Sequence, residues 1–345
     1  MTAERPWRGA RRVGMRLVGV LPSLIGVVVI TFLLTRALPG DPAAQFAGPA
    51  ATPEAIAQIR TQLGLDRALP VQFVGYLGDL ARGDLGTSLT TGQPVLTELV
   101  ERLPASLELT LCALVLAALI GIPLGVLAAT RPGSLLDHAC RVGTTAGVAL
   151  PVFFTGVLLI YVFYFLLGLS PAPLGRLDPL LEPPRTLTGF YLVDSLLAGD
   201  LPLLTEVARQ LALPVFTLCL VAMAPLARMT RASMLGVLSS EFVRTARASG
   251  LSRAKVLYVY AFGNALLPIL TTLGMTFSFL LGGNVLVEKV FAWPGVGSYA
   301  LEALIASDFA PVQGFVLAMG IVYVLLNLTI DTLYGFVDPR VARFA

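Results

Sequence analysis

Charge is scarce in this chain. Only 13% of its 345 residues are Asp, Glu, Lys or Arg, against roughly 25% in soluble domains, which excludes an ordinary water-soluble globule. Lysine is nearly missing. Lys255 and Lys289 are the only two, and neither follows a GxxxxGK[ST] loop, so the chain cannot cradle nucleotide phosphates in the usual way. The lone histidine, His138, has no partner at metal-ligand spacing and reads as a residue at a helix entrance. There is no HExxH and no GxSxG nucleophile motif. The three cysteines, Cys112, Cys140 and Cys219, fall in or beside apolar stretches, so no disulfide framework is expected in the outer loops. The chain is therefore expected not to be an enzyme and to hold no metal or cofactor. Any energy it uses must come from a partner or an ion gradient.

What is abundant is apolar sequence: 56% of residues are hydrophobic and the mean hydropathy is +0.82. The pattern predicts an all-α polytopic membrane protein with six spans, Leu17–Leu34, Leu107–Ala129, Val142–Leu169, Leu211–Leu226, Leu266–Val287 and Val312–Val337. Each approaches the roughly 20 apolar residues that a helix needs to cross the hydrocarbon core. The fourth is short and carries Pro214 and Pro225. Arg5, Arg8, Arg11, Arg12 and Arg16 before the first run imitate a signal peptide, but that run exceeds the usual signal core and no small-residue cleavage site follows. It is read as the first span.

Charge placement sets the orientation. With the amino terminus inside, those five arginines, Arg131, Arg141, the six basic residues from Arg228 to Lys255, Arg340 and Arg343 place 15 of the 24 basic residues in the cytoplasm. Only four acids accompany them, Glu4, Asp137, Glu241 and Asp338. The excess puts both termini inside, and the net charge of +3 carries no implication of nucleic acid.

The expected organisation is a cytoplasmic terminus and first helix (1–38), an extracytoplasmic subdomain (39–104), a membrane core (105–337) with a cytoplasmic loop at 228–256, and a short tail (338–345). Within the subdomain a Thr52 cap precedes a helix-like stretch from Pro53 to Gly64. A second outer segment, Leu169 to Arg209, opens rich in proline and closes with Phe190 to Leu197, which suits a short interfacial helix. Asp331 lies within the last span, one turn after Asn327, where an ionisable group must face protein or water. A hydrogen-bonded structural cluster and a pathway contact both fit it. Gly121 to Gly125 and Gly143 to Gly147 are GxxxG patterns suited to close helix packing.

The loop from Arg228 to Lys255 is the most specific segment. It reads as a helix from Glu241, stopped by Gly250 and restarted at Ser252, a form able to transmit a rigid push. Glu241-Phe242-Val243-Arg244-Thr245-Ala246-Arg247-Ala248-Ser249-Gly250-Leu251-Ser252, running on to Asn264-Ala265-Leu266-Leu267-Pro268, resembles the EAA loop of ABC importer permeases in its dipeptide, oligopeptide and nickel form. The resemblance continues through Gly282-Gly283, Glu288, Phe291-Ala292-Trp293-Pro294-Gly295-Val296-Gly297, Asp308 and Asp338-Pro339-Arg340. In the amino-terminal half it includes Leu38-Pro39-Gly40-Asp41-Pro42, Gly83-Asp84-Leu85-Gly86 and Arg102-Leu103-Pro104, so it covers nearly the whole chain. One departure is Arg244, which stands where the general motif has glutamate.

The resemblance implies a type I importer permease with an extracytoplasmic insertion between helices 1 and 2, in the bacterial inner membrane. It implies a second homologous permease as heterodimer partner, two cytoplasmic ATPases carrying ATP and Mg, and an extracytoplasmic substrate-binding protein. Phe242, Arg244, Thr245, Ala246, Arg247, Ala248, Gly250, Leu251 and Ser252 would then couple to the ATPases. Candidates for the pathway or its outer gate are Asn327, Asp331, Glu288, Trp293, Pro294 and Gly295. Di- or oligopeptide is the favoured cargo, with glutathione, nickel chelates or another small solute left open. A gradient-driven secondary transporter is the rival class, and it would predict broken helices with midplane charges in both halves.

Overall fold

A computed structural model describes residues 22–33, 36, 42–48, 50–62 and 64–337. The described residues are helical, with only an isolated bridge between Thr87 and Pro94 and no strand. The chain divides into two units, residues 1–103 with 296–328, and residues 104–295 with 329–345.

The first unit contains α1 (Pro22–Leu33), α2 (Pro42–Ala47), α3 (Pro53–Gln62), α4 (Leu69–Ala81), the opening turns of α5 (Val95–Thr130), α12 (Val296–Ile305) and most of α13 (Phe309–Val337). α3 starts where proline at the first helical position and the Thr52 hydroxyl, accepting from Ala55 N–H at 3.3 Å, favour it. α4 lies beside α1, with Phe73 edge-on to buried Phe32 at 5.1 Å between ring centroids. The core of this unit is Val95, Leu99, Val296 and Tyr299, with Leu85, Leu103 and Phe315 packed around it. Gly314 is needed there, because a Cβ would stand 2.6 Å from Val95.

The second unit contains the rest of α5, α6 (Leu135–Ala146), α7 (Val152–Leu159) continuing as a π-helical turn over Ile160–Leu166, α8 (Tyr191–Ala198), α9 (Leu201–Leu238), α10 (Glu241–Ala248), and a π-helical turn Lys255–Ala261 that leads into α11 (Phe262–Val290). Its core joins Leu109, Ala113 and Ala117 of α5, Leu218 and Ala222 of α9, and Leu280 and Val287 of α11. α9 is the hub, touching α6, α7, α8 and α11.

Among the described residues, four helices are long and apolar enough to cross a bilayer: Val95–Thr130, Leu201–Leu238, Lys255–Val290 and Phe309–Ile330. The six expected spans therefore need correction in detail. Of the first, Leu17–Leu34, the described residues include most, and they form α1 (Pro22–Leu33). The third, Val142–Leu169, is broken: its start belongs to α6, and the chain turns before resuming at Val152. Pro151 explains the break, since it disfavours α geometry in the residue before it and adopts an extended ψ of 136° itself. The fourth was expected to be short and is instead the middle of α9, the longest helix described at 38 residues. Pro214 and Pro225 do not end it, because a helix hemmed in by neighbours accommodates the freed carbonyls. The expected tail 338–345 lies outside the described residues.

Three of the four GxxxG glycines approach the backbone of α9, Gly147 among them, where a Cβ would stand 2.9 Å from the Leu220 carbonyl. A Cβ on Gly125 would stand 2.6 Å from the Ala227 carbonyl and the Thr230 Cβ, and one on Gly121 would stand 2.9 Å from the Met223 carbonyl. These glycines let α5 meet the backbone of α9. Gly143, by contrast, has nothing within 4 Å. Gly125→Ala is expected to cost about 1–3 kcal/mol by overpacking, and Gly143→Ala to stay within about 0.5 kcal/mol of wild type. Unfolding by SDS titration in mixed micelles checks this, and equal losses for the two variants would refute the close approach.

Candidate functional site

The loop from Arg228 to Lys255 is built as a short helix held from beneath. α10 spans Glu241–Ala248, and Gly250 takes a φ of +76°, a left-handed conformation in which glycine has no Cβ penalty. The next helix starts after Ser252, whose hydroxyl accepts from the Lys255 N–H at 3.4 Å. Val243 and Ala246 face inward and form a small cluster with Val256, against which Val237 and Leu251 pack. This cluster fixes α10 on the ends of α9 and α11. Of the nominated coupling residues, Phe242, Arg244, Thr245, Arg247, Ala248, Gly250 and Ser252 are exposed. Ala246 is buried and Leu251 half-buried, so these two support the loop from below. Phe242 is 44% exposed, a large apolar side chain left on an otherwise polar face. Arg244 forms a 2.8 Å pair with Glu241 across one turn, with both side chains solvated, a contact of little energetic weight.

The nominated gate residues divide differently. Glu288, Trp293 and Gly295 are buried at one end of α11, and Pro294 between them is exposed. The Glu288 carboxylate accepts from the Ser106 hydroxyl of α5 at 2.5 Å. Its backbone carbonyl accepts from the Trp293 N–H at 2.7 Å, and the Trp293 indole donates to the Ala105 carbonyl at 2.9 Å. Asn284, one turn before Glu288, donates to the Thr110 hydroxyl at 3.2 Å. Gly295 sits directly on the Glu288 carboxylate, where any Cβ would clash. The geometry is that of a buried polar lock between α5 and the turn after α11. Asn327 is exposed on α13. Asp331 lies in the same helix, and its side chain is outside the described residues.

A second buried carboxylate, Glu108, lies on α5 near that lock. Arg176 pairs with it at 2.6 Å, with 7% and 2% of the two side chains exposed. Arg176 also donates to the Gly189 carbonyl at 2.7 Å, its guanidinium lies 3.5 Å from the Tyr191 ring centroid, and Leu192 N–H donates to Glu108 at 2.7 Å. Asp194 closes the same loop by accepting from the Thr188 hydroxyl and from the N–H groups of Leu187, Thr188 and Gly189. Burial pushes its carboxyl upward, but these bonds together outweigh burial and hold it below the ordinary range. Sequence reasoning did not single out Glu108, Arg176 or Asp194 as partners. Distances of 68 residues between ion-pair members leave no local signal.

A groove of about 850 Å³ opens along α7, α9 and α11. Leu150, Leu218, Pro225, Met229, Met275 and Phe279 line it, and Arg228 is the one charge among its lining residues. Glu288, Trp293, Pro294, Gly295 and Asn327 are not among its lining residues. Periodicity could have marked it: α11 and α9 each present apolar residues on more faces than one helix contact needs.

α6 is tied to α9 by Asp137 and Arg231, joined by two hydrogen bonds, one of 2.8 Å from Nη2. Asp137 also accepts from Gly133 N–H at 3.0 Å. The Arg231 bonds first, and the Gly133 bond second, hold its carboxyl well below the usual carboxylate range.

Comparison with known proteins bears on the whole chain. Residues 121–343 match the family described as binding-protein-dependent transport system inner membrane component, and residues 11–110 match the amino-terminal region described for membrane components of such systems. The probable D,D-dipeptide transport system permease protein DdpB of Escherichia coli is 46% identical over 94% of this chain and 95% of its own length. The di/tripeptide transport system permease protein DppB of Pseudomonas aeruginosa is 42% identical over 96% of this chain and 97% of its own. In structure, a chain of the methionine ABC transporter MetNI in an inward-facing conformation matches with a TM-score of 0.53 at 18% identity, covering 70% of this chain and 97% of that one. That likeness is one of fold.

The Asp137 pairing sets a pH dependence. Its folded pKa is depressed, so the pairing stabilises fully above the unfolded value of about 3.9 and is lost as pH falls through the lower folded value. The stability gap between wild type and Asp137→Asn is expected to stay level from about pH 8 to about pH 5 and to close below about pH 4. Thermal unfolding followed across that range checks it. A gap that widens on acidification would show that Asp137 is not held ionised.

Proposed function

The chain belongs to the family of binding-protein-dependent transport system inner membrane components, and from that premise we propose that it is the permease subunit of an ATP-driven importer of di- or oligopeptides. The observation that carries the coupling is α10: a glycine-stopped helix, rigidly seated by Val243 and Ala246, that leaves Phe242, Thr245 and Ala248 facing solvent at helical spacing. Such a face suits insertion into a groove of a cytoplasmic ATPase, with Phe242 as the apolar anchor and Arg244 and Arg247 at the rim. ATP and Mg would be held by two such ATPases, and a second homologous permease would complete the pathway. An extracytoplasmic binding protein would deliver the cargo. Both termini would lie in the cytoplasm, as the distribution of arginine favours.

Full-length likeness to permeases named for dipeptides and for di- and tripeptides supports peptide as the cargo. This chain's share of the pathway would be the groove of α7, α9 and α11. Its apolar lining fits a cargo read mainly elsewhere, by the binding protein, and passed without tight contacts. Glu288, Trp293 and Gly295 would then act on the outer gate by fixing the turn after α11 against α5, and Asn327 and Asp331 would be placed toward a protein partner rather than lipid.

The two parts are tested together in proteoliposomes holding both permeases and both ATPases, supplied with binding protein and a labelled dipeptide. Phe242→Ala and Ala248→Arg are expected to lower uptake and ATPase recovery on purification together, by about thirtyfold for an anchor residue. Met275→Trp, which narrows the groove, is expected to lower uptake by about tenfold through overpacking while the ATPases remain bound. Uptake that persists without ATP, or a Phe242→Ala protein that couples normally, would count decisively against the reading.

A further inference from the structure

Beside the coupling helix lies a cavity of about 700 Å³ that the transport reading leaves without a role. It is formed by the cytoplasmic end of α5 (Thr130 and Arg131), the end of α9 (Leu238), the end of α10 (Arg247), the following turn (Leu251 and Arg253) and the start of the next helix (Val256 and Leu257). Its chemistry is two-sided. Leu238, Leu251, Val256 and Leu257 are apolar, while Arg131, Arg247 and Arg253 are cationic, and among the described residues no carboxylate lines it. None of these three arginines forms an ion pair with a carboxylate among the described residues.

Its level in the molecule narrows the occupant. Val95–Thr130 is apolar enough to cross a bilayer and ends at the cavity, and Lys255–Val290, which leads away from it, is another such helix. Tyr258 and Val259, next to the cavity on that second helix, are 61% and 63% exposed, as apolar side chains turned toward lipid would be. A pocket at this depth meets the headgroups of the cytoplasmic leaflet. Three guanidinium groups there offer paired N–H donors that match phosphate oxygens. The apolar wall beside them fits the glycerol and first methylenes that accompany a lipid phosphate and do not accompany a free anion. Basic pockets between helices on the cytoplasmic side are sites for anionic headgroups for these reasons.

The geometry points to a binding site for an anionic phospholipid, held by Arg131, Arg247 and Arg253 with its upper chain against Leu238 and Leu257. Because the same walls include Arg247 of the coupling helix and Leu251 beneath it, an occupied pocket braces α10 from the membrane side. Lipid composition thereby reaches the element that the ATPases contact. The site rests on the cytoplasmic placement of this loop and not on the identity of the cargo.

The test is binding of dioctanoyl phosphatidylglycerol to the purified transporter in mild detergent, followed by native mass spectrometry, with dioctanoyl phosphatidylcholine and glycerol 3-phosphate as parallel probes. Wild type is expected to retain the glycerol lipid over the choline lipid. Each of Arg131→Gln and Arg253→Gln is expected to lose about fivefold in affinity, and the double variant about thirtyfold. Arg131→Lys with Arg253→Lys, which keeps the charge, is expected to recover most of the binding, and recovery also shows that the loop still folds. Arg209→Gln, on a side chain outside the cavity, is expected to change nothing.

Three results would overturn the site. One is phosphatidylglycerol affinity unchanged in the double glutamine variant. Another is glycerol 3-phosphate binding as tightly as the lipid, which would make the pocket a free-anion site. The third is loss of the ATPases from the double variant with no lipid dependence, which would assign the arginines to an acidic partner surface. None of these turns on whether transport itself is of peptides, so failure here is separable from failure of the transport reading.

Discussion

Two buried carboxylates on neighbouring helices constrain most of the second unit. Glu108 of α5 and Glu288 of α11 are each about 98–99% removed from solvent, where a carboxylate without hydrogen-bond partners is severely disfavoured. The chain around them is arranged to meet that need. Arg176 and the N–H of Leu192 are brought to Glu108 by a long loop that Asp194 folds back on itself, while Ser106 serves Glu288 from the adjacent helix. Glycine appears where a side chain would intrude: Gly295 against Glu288, and Gly189 against Pro104, where a Cβ would come within 2.8 Å. The loop is thus held at Glu108, and the turn after α11 at Glu288, by two buried polar clusters on α5, where removing one partner leaves a charge or donor in a low dielectric.

The loop that carries α10 follows the opposite rule. α10 has only Val243 and Ala246 buried, so its seat is small and its outer surface remains available. Few contacts still give a definite orientation, because the helix is joined to its neighbours at both ends, at Ser240 and through the left-handed Gly250. The tie between Asp137 and Arg231 secures α6 to α9 on the same side. Motion at α10 would therefore be passed to α9 and α11, the helices that line the apolar groove. A lever with a small seat and stiff attachments suits an element that must be moved by a partner.

The same constraint explains which parts of the molecule could be read in advance. Apolar run length exposed the membrane class, since the hydrocarbon core demands it. It misjudged α9, whose two prolines suggested a short span although the helix runs for 38 residues. It also merged α6 with α7, because Gly147 to Pro151 is apolar enough to hide a turn from a hydropathy window. The stop at Gly250 was legible because glycine tolerates a φ of +76° that other residues resist. Ala246, placed with the coupling face from its position in the motif, turned out to point inward, as the 3.6-residue repeat with Val243 requires.

The sequence by itself determined the membrane class, the position in the chain of the helix-turn-helix around Gly250 and, through a motif running nearly from end to end, the kinship with importer permeases. Those are properties of local pattern: length, periodicity, charge and turn chemistry. The tertiary structure alone decided that Gly121, Gly125 and Gly147 meet α9 while a Cβ on Gly143 would meet nothing among the described residues, and that Glu108 belongs to Arg176. It alone decided that Glu288 and Trp293 are buried as a lock between helices, and that Arg131 and Arg253, far apart in the chain, line one cavity. Each of these is a partnership between residues distant in sequence, and the energy that selects it, burial of a charge or contact of two backbones, exists only once the helices have packed.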